Sequence, residues 1–318
     1  MKSRFRFLAQ GVCMLAFTVG AAASAQNNST VDQTGDANSV VVEQTGSNAS
    51  AITQTGQEHD ASVDQNGTGN TSTITQTSRD NLADVTQNAN QGFSTVTQAG
   101  RGDQAYLEQL SGADRSRSII NQVSAGLDDA EEPNVTNNFA SVIQSGPDNR
   151  SDVQQGAFNN SVFVEQSGAR NRSFTLQGDL GIAQGNIGRV TQSGSDNLSA
   201  LGQSSGISGV TSTANNDATV VQSGDFNRSF LDQGLIGGDD NFATVTQSGS
   251  NNLSDVNQNL RIGGGNNDVS VLQSGDGNLT EILQGGLDNY ISVTQASNGN
   301  VAVVDQLGNN NSATVTQD

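Results

Sequence analysis

Glutamine recurs along most of the chain, usually every 11 residues, from Gln33 to Gln317. Twenty-four of these glutamines align with one another, and an aliphatic residue lies two positions before 23 of them, with Thr175 as the exception. Asparagine lies six positions before the glutamine in 20 of the 24 units, and the residue four positions before it is nearly always small. Because side chains of a strand alternate between two faces, these four positions share one face of a β-strand. Each unit therefore predicts one short strand.

The residue four positions before the glutamine separates alternate units into two classes. Odd-numbered units carry mostly serine there, as at Ser151 and Ser254, whereas even-numbered units carry Ala, Val, Gly or Ile, as at Ala140, Val162 and Ile291. The full repeat is thus two strands, and the 24 strands make 12 coils. The predicted fold class is all-β: a two-sheet β-solenoid whose coils stack about 4.8 Å apart, which gives a rod about 60 Å long.

Loop lengths support the same architecture. Most turns have four residues between the glutamine and the asparagine position, but five have seven or more, and all five precede an even-numbered strand. Insertions collected on one edge are typical of a solenoid, because one edge can grow without disturbing the stack. The opposite edge keeps short Ser-Gly turns, in which glycine adopts positive φ at no steric cost. The five insertions are Val123–Asn137, Gly178–Gly185, Ser204–Asn215, Gly234–Asp240 and Asn259–Asn266.

Residues 1–25 have the features of a secretory signal peptide, and residues 26–318 form the repeat domain. The leader has a positive start, a mostly apolar stretch from Phe7 to Ala23 and a small-x-small cleavage site at Ala23-Ser24-Ala25. Cleavage would leave no cysteine and no lysine, with ten arginines against 32 acidic residues, a formal charge of −22. A secreted chain of this composition has no disulfides. Its charge argues against nucleic acid as a partner, and no later stretch is long and apolar enough to span a membrane.

Few residues could carry chemistry. The mature chain has a single histidine, His59, which stands where other units have the ladder asparagine, so we expect it to be structural. Nucleophile–base pairs are nearly absent, so an enzyme is not expected, and neither is a cofactor or a metal site. The tripeptide Arg101-Gly102-Asp103 matches an integrin-type motif, but Asp103 also takes an asparagine position. Acceptor triplets such as Asn149-Arg150-Ser151 follow from the repeat and are expected to face inward.

A Thr-x-Thr pattern raises ice binding as an alternative. It occurs in four of the 24 units, and we expect these units not to be adjacent, so that no flat threonine array forms.

The residues predicted to hold the fold together are the stacked amides and their small and aliphatic neighbours. Amides carry both donors and acceptors, so identical side chains in successive coils can satisfy each other. In the most regular units these predicted ladder residues are Gln144, Asn149, Ser151, Val153, Gln155, Gln166, Asn171, Gln177, Gln192, Asn197, Gln203, Gln222, Asn227, Gln233, Gln247, Asn252, Ser254, Val256, Gln258, Gln273, Asn278, Gln284, Gln306, Asn311 and Gln317.

The unit Gln-x-Gly-x-x-Asn-x-Ala/Ser-x-x-x-Gln resembles the curlin repeat of bacterial curli fibre subunits. The resemblance implies a secreted functional amyloid: a fibre subunit in cell adhesion and the biofilm matrix that self-assembles at the cell surface by edge-to-edge stacking of its coils. The partners it implies are further copies of the chain, a second curlin-like subunit or nucleator, and an outer-membrane export pore. The literal matches are Gln144–Gln155, Gln166–Gln177, Gln192–Gln203, Gln222–Gln233, Gln247–Gln258 and Gln306–Gln317.

The chain differs from curli subunits in having more repeats, no targeting segment between the leader and the first strand, and asparagine where their strands often begin with serine. These differences leave open the export route and whether the chain is a major, nucleating or associated subunit. A soluble monomeric β-solenoid adhesin is the alternative, because repeat proteins usually end in polar caps. Here the first strand follows the leader directly and Asp318 alone follows Gln317, so we expect two uncapped ends.

Overall fold

A computed structural model of the chain describes the backbone of residues 3–8 and the structure of residues 26–123, 136–178, 184–203, 215–234, 238–258 and 264–318. In these ranges every regular element is a β-strand, and there is no helix long and apolar enough to cross a membrane. The strands are β1 (Ser3–Leu8), β2 (Asn28–Asp36), β3 (Ser39–Gln57), β4 (Asp60–Arg79), β5 (Leu82–Gln87), β6 (Phe93–Gln98), β7 (Gln104–Gln109), β8 (Arg117–Gln122), β9 (Phe139–Gln144), β10 (Arg150–Gln155), β11 (Ser161–Gln166), β12 (Arg172–Gln177), β13 (Ile187–Gln192), β14 (Leu198–Gln203), β15 (Asp217–Ser223), β16 (Arg228–Gln233), β17 (Gly238–Asp239), β18 (Phe242–Ser248), β19 (Leu253–Gln258), β20 (Gly264–Gly265), β21 (Asp268–Gln273), β22 (Leu279–Gly285), β23 (Tyr290–Gln295), β24 (Val301–Leu307) and β25 (Ser312–Gln317).

The strands wind into a parallel β-solenoid. Each repeat strand pairs in parallel with the strand two units later, so that β10 pairs with β12 and β11 with β13. Pairing is in register, with Gln155 opposite Gln177. All 24 predicted strands are present, because β3 and β4 each run through a corner and contain two of them. The all-β, two-sheet β-solenoid of 12 coils is therefore confirmed. We call the two faces the odd sheet and the even sheet, after the unit numbers.

The core is a thin strip between the two sheets. Burial alternates along the strands, as in β9, where Ala140, Val142 and Gln144 are buried and the residues between them are partly exposed. The aliphatic residues two positions before the glutamines form one apolar file per sheet, interrupted in the odd sheet by Thr175, and in the inner coils they are almost fully buried. Burial contributes about 0.8 kcal/mol for each CH₂ group removed from water. This narrow strip compensates for the low hydrophobicity of the whole chain.

Turn residues are constrained by stacking. Gly168 has φ +88°, and a Cβ built on it would lie only 2.0 Å from the carbonyl oxygen of Gly194 in the next coil. Only glycine meets both constraints, the positive φ and the close approach of the backbone. The residue just before the asparagine also takes a left-handed conformation, with φ of 59° at Asp148 and 60° at Asn251. Asn, Asp and Gly tolerate that region best, which explains their frequency there.

The described ends of the five insertions lie on the edge that leads from the odd sheet to the even sheet, as expected. Much of each insertion lies outside the described residues, and so does the acidic stretch from residue 128 to residue 132. Two described pieces, β17 and β20, pair in parallel as a separate two-stranded sheet. This edge is thus extended by its own ladder beside coils 9 and 10.

One strand, β1, lies within residues 1–25, the stretch that the sequence predicts to be a leader. β1 pairs antiparallel with the Ser39–Gln44 part of β3, which is the first strand of the even sheet. The sequence places the leader outside the repeat domain, and nothing in its composition predicts this pairing. An open sheet edge presents unpaired backbone donors and acceptors, so it can accept any extended segment that reaches it.

Serine forms a file inside the odd sheet. Eight of its hydroxyl groups are buried without a hydrogen-bond partner, which is uncommon in protein interiors. Thr280 occupies the same position in a later coil, and its Oγ1 accepts a hydrogen bond from Gln273 Nε2 at 3.1 Å and donates one to Gln295 Oε1 at 2.9 Å. A threonine hydroxyl in this position thus bridges the glutamine file of the facing sheet. The eight serines are Ser72, Ser94, Ser118, Ser151, Ser173, Ser199, Ser229 and Ser254.

We predict that Ser254→Thr stabilises the protein and that Ser254→Ala leaves stability nearly unchanged. Threonine should reach Gln247 and Gln273 as Thr280 reaches its own pair, a gain of about 1 kcal/mol. Alanine only removes a hydroxyl that has no partner, and Ala302 already occupies the equivalent position. Thermal unfolding of the monomer, followed by circular dichroism, should rank Ser254→Thr above both other proteins. A Ser254→Thr midpoint at or below that of Ser254→Ala would contradict the prediction.

Candidate functional site

Two glutamine files run the length of the solenoid, one at the end of each sheet's strands. In each file the Nε2 group of a glutamine donates to Oε1 of the glutamine one coil further on. All 22 such contacts lie between 2.6 and 3.1 Å. In the inner coils these side chains are almost fully buried, so each amide depends on its neighbours for hydrogen bonds.

The glutamine files have a direction. Gln166 Nε2 donates to Gln192 Oε1 at 2.7 Å and also to the backbone carbonyl of Arg150, in the facing sheet, at 3.0 Å. Only the NH₂ side of an amide can donate to a carbonyl, so this second contact fixes which way the amide points. The same pair of contacts recurs at Gln155 and Gln203. Every donor therefore points toward the C-terminal coil.

The asparagine file fastens the turns. The backbone N–H of Asn171 donates to Asn149 Oδ1 at 2.9 Å, and its own Nδ2 donates to Ser167 O at 2.9 Å and to Gly194 O at 3.0 Å. Each asparagine thus closes its own turn and holds the turn of the next coil. A hydrogen bond of this kind contributes about 0.5–1.5 kcal/mol, and the contact repeats in most coils.

The predicted ladder residues lie inside the solenoid. Those from Gln144 to Gln284 are at most 1% exposed, and Gln306 is 7% exposed. Asn311 and Gln317, on the last coil, are half-buried. Ser151 lies inside with Asn149, so this glycosylation-type triplet is inaccessible. Sequence reasoning did not find the direction of the files, because a pattern of residue types does not say which end of an amide faces which neighbour.

Four residues other than asparagine occupy the asparagine file. Ser116 imitates asparagine: its hydroxyl donates to Gly146 O at 2.9 Å and accepts from the N–H of Asn149 at 3.1 Å. His59 also lies inside, with Nε2 3.2 Å from Thr55 O, and burial lowers its pKa. It thus occupies the buried position that other units give to the ladder asparagine.

Asp103 fits this file poorly. Its Oδ1 accepts hydrogen bonds from Thr136 Oγ1 at 2.6 Å and from the N–H of Asn138 at 3.0 Å, but its buried Oδ2 has no partner. Burial raises the pKa of this carboxyl group, although its hydrogen bonds oppose the rise. The carboxyl group is 0% exposed, so the Arg101-Gly102-Asp103 triplet cannot present it to a receptor.

We predict that Asp103→Asn stabilises the protein, and more at pH 7 than at pH 4. The folded-state pKa of Asp103 lies above its unfolded value, so between the two the native state binds more protons and stability falls as pH rises. Asparagine removes this penalty and restores a donor, a gain of about 1–3 kcal/mol at neutral pH. Thermal unfolding at both pH values measures the change. Asp152→Asn, on the outer face, is the control, and an equal, pH-independent gain in the two variants would refute the explanation.

The first and last coils leave the files unfinished. No described glutamine donates to Oε1 of Gln33 or Gln44, whereas Nε2 of Gln306 and Gln317 meets only backbone carbonyls, those of Tyr290 at 3.4 Å and Val301 at 3.0 Å. Aliphatic residues that are fully buried in the inner coils become partly exposed here, as at Val31, Val304 and Val315. The N-terminal end thus presents amide acceptors and the C-terminal end presents amide donors, each beside apolar surface.

Charged side chains form pairs on the outside. On the short-turn edge Arg170 binds Asp196 of the next coil through two contacts of 2.8 and 2.7 Å, and Arg115 binds Asp148 in the same way. The hydrogen bond from Arg170 lowers the pKa of Asp196. Exposed pairs of this kind contribute little stability, but they favour the in-register stacking of successive coils.

Acidic residues gather on the even sheet of the early coils. Burial raises the pKa of Asp84, and the charges of Glu108, Asp60 and Asp64 add to the rise. Asp84 lies between Ser62 and Tyr106 on the outer face. Among the described residues no group of three His, Cys, Asp or Glu side chains could hold a metal ion.

One expectation about threonine is wrong. Thr73 and Thr75 lie directly beside Thr95 and Thr97 in the odd sheet. Neighbours in a sheet are two units apart in sequence, because the chain visits the other sheet between them. The threonine pairs of the odd sheet therefore extend over two coils, which is still too small an area for a continuous flat array.

Comparison with protein families identifies one repeat. The model of the curlin associated repeat matches residues 136–168, 238–266, 264–296 and 286–318. These ranges cover coils of the regular solenoid described above. No curated protein matches the chain.

Proposed function

The chain is a curlin-repeat protein, and we propose that it is a secreted structural subunit of an extracellular, amyloid-type fibre. Copies add to one another end to end, and the fibre serves cell adhesion and the biofilm matrix. No catalytic step belongs to this role. A second curlin-like subunit or nucleator and an outer-membrane export pore remain the proposed partners.

The observation that carries this proposal is the complementarity of the two ends. The donors of Gln306 and Gln317 match the free acceptors of Gln33 and Gln44, and the partly exposed aliphatic files would continue across the junction. Backbone groups on the free edges of β2, β24 and β25 lack a strand partner among the described residues. A contact between two different ends does not close on itself, so it generates a filament rather than a dimer.

The pairing of β1 with Ser39–Gln44 supports a role for leader removal in assembly. In the uncleaved chain β1 covers the N-terminal edge of the even sheet. Cleavage after Ala25 would free that edge for the β25 strand of another copy. Assembly would then begin only after secretion.

We predict that purified residues 26–318 form fibres that bind thioflavin and diffract at about 4.8 and 10 Å. Val304→Lys should slow elongation strongly, because it places a charge in the apolar file at the C-terminal edge, a device that blocks strand addition. Val303→Lys is the matched control, since Val303 lies on the same strand, points outward and is 65% exposed. A monomer that persists for days at high concentration by light scattering would instead favour a soluble solenoid adhesin.

We also predict a repulsive contact at the junction. Asp305 and Asp32 occupy the same outward position on the last and first strands of the odd sheet, so joined copies would place the two carboxylates about 4.8 Å apart. Like charges directly opposite in a sheet are destabilising. Asp305→Asn should therefore shorten the lag of assembly at low salt, and the difference should shrink in 0.5 M salt, where charges are screened. Asp152→Asn, in mid-rod, should leave the lag unchanged; equal effects of the two variants would show that only net charge matters.

A further inference from the structure

Aromatic rings on the outer face of the even sheet stack from coil to coil. Phe139 lies between Tyr106 and Phe163, with ring centroids 5.6 Å from the first and 5.2 Å from the second. Tyr106 and Phe163 belong to coils two steps apart, about 9.6 Å along the rod. One ring therefore fills a gap of two coils, within the usual 4.5–7 Å separation of aromatic pairs. Phe139 reaches this gap from the next outward position of its strand, since Ser141 is the residue directly between Tyr106 and Phe163.

The odd sheet has a two-coil gap of the same kind, with Leu198 instead of an aromatic residue at the position equivalent to Phe139. Phe174 and Phe230 lie two coils apart at the same outward position, and Ala200 is the residue between them. Arg150 stacks on Phe174 with its guanidinium carbon 5.4 Å from the ring centroid, and its strand lies on the side away from Ala200. Phe230 is 37% exposed. The two rings, two coils apart, thus border a space of about one ring thickness that has the methyl group of Ala200 as its floor and the partly exposed Leu198 at its side. We call it the Phe174–Phe230 slot.

Polar groups flank the slot on both sides. Arg172 and Arg228 occupy the neighbouring outward position on the strands of Phe174 and Phe230. Leu198 has that position in the coil between them. On the other side Asp232 extends over Gly202, since a Cβ built on Gly202 would lie 2.3 Å from Asp232 Oδ1. Desolvation raises the pKa of Asp232, and the charge of Asp255 adds to the rise.

The arginines of the slot are available for a ligand. Within the described residues no carboxylate lies within 4.0 Å of Arg172 or Arg228, whereas Arg170 on the adjacent turn is held by Asp196. Both side chains are exposed. Two exposed cations without a carboxylate partner, in alternate coils of one face and beside an aromatic slot, favour an anionic partner.

We propose that the Phe174–Phe230 slot binds a pyranose ring of an acidic polysaccharide, with its carboxylate on Arg172 or Arg228. The C–H faces of the sugar would pack on the two rings at the distance that Phe139 keeps from its neighbours. Asp232 would accept hydrogen bonds from sugar hydroxyls, and arginine binds carboxylates with paired hydrogen bonds. The fibre would thereby be attached along its side to a uronate-containing matrix polymer.

Single-stranded nucleic acid is the competing ligand, because it also combines flat rings with negative charge. Both polymers carry one negative charge for each repeating residue, so the negative charge of the protein and the carboxylates of Asp232 and Asp255 oppose both alike. A uronate places its ring and carboxylate on the same residue and brings hydroxyl groups that Asp232 can bind. These hydroxyl groups, and a carboxylate borne on the ring itself, favour the sugar.

The test measures binding of an oligogalacturonate of six residues to residues 26–318 by titration calorimetry at low salt. Wild-type protein should bind it, and binding should weaken at least tenfold in the Arg172→Gln/Arg228→Gln double variant. Ala200→Phe supplies the missing ring from the chain itself and should abolish binding. Ala51→Phe is the matched control: Ala51 has the same position in the odd sheet but lies between Thr30 and Thr73, so this variant should bind as wild type does.

The slot lies in mid-rod, so this proposal does not depend on end-to-end assembly, and Val304→Lys monomers serve equally well for the titration. Unchanged binding in Ala200→Phe would overturn it, as would equal affinity for a neutral galactan oligomer. Tighter binding of a single-stranded oligonucleotide than of the uronate would assign the slot to nucleic acid instead. Circular dichroism of each variant shows whether the solenoid is intact.

Discussion

The whole structure depends on the hydrogen bond between identical amides in successive coils. A buried glutamine needs both a donor and an acceptor, and the glutamines one coil before and after supply them when the strands are parallel and in register. A slip of one residue would turn the inner face of a strand outward. The amide files therefore select a single register, and the aliphatic file, which alone would tolerate sliding, follows it. A chain of low hydrophobicity can fold in this way because its polar interior is satisfied by repetition.

Repetition also confines the effect of each imperfect residue. In a solenoid each coil contacts only its neighbours, so stability is close to a sum of local contributions. His59, Gly92, Asp103 and Ser116 all replace asparagine in the first five coils. The side-chain hydrogen bonds of Asp103 and Ser116 reach no further than the neighbouring coil. The buried serine hydroxyls show the same tolerance in the odd sheet. The later coils have the more regular units, and three of the four matches to the curlin repeat model lie there.

Sequence could predict what the inner face of the strands requires, and little else. The period of two strands, the 12 coils and the edge that carries the insertions all follow from residues that must point inward or turn. Outward residues obey no such rule, so the contact of Arg170 with Asp196 and the slot around Ala200 could be found only with the register known. The adjacency of Thr73 and Thr95 was missed for the same reason, since strands that follow each other in sequence lie in different sheets. Amide direction is likewise set by contacts with the facing sheet, as at Gln166, and not by composition.

The same division separates two kinds of function on one rod. Inward residues must be nearly identical in every coil, so what they supply is the hydrogen bond between amides of successive coils. Only at the two ends of the rod do these amides lack a neighbour. Outward residues can differ from coil to coil without disturbing the stack. One coil can therefore carry Ala200 while the coils before and after it carry phenylalanine at the same position. Addition of copies therefore depends on the inward residues that all coils share. Recognition of another molecule depends on outward residues that differ from one coil to the next. Because the two use opposite faces of the same strands, a side-chain change in the slot leaves the ladder beneath it intact.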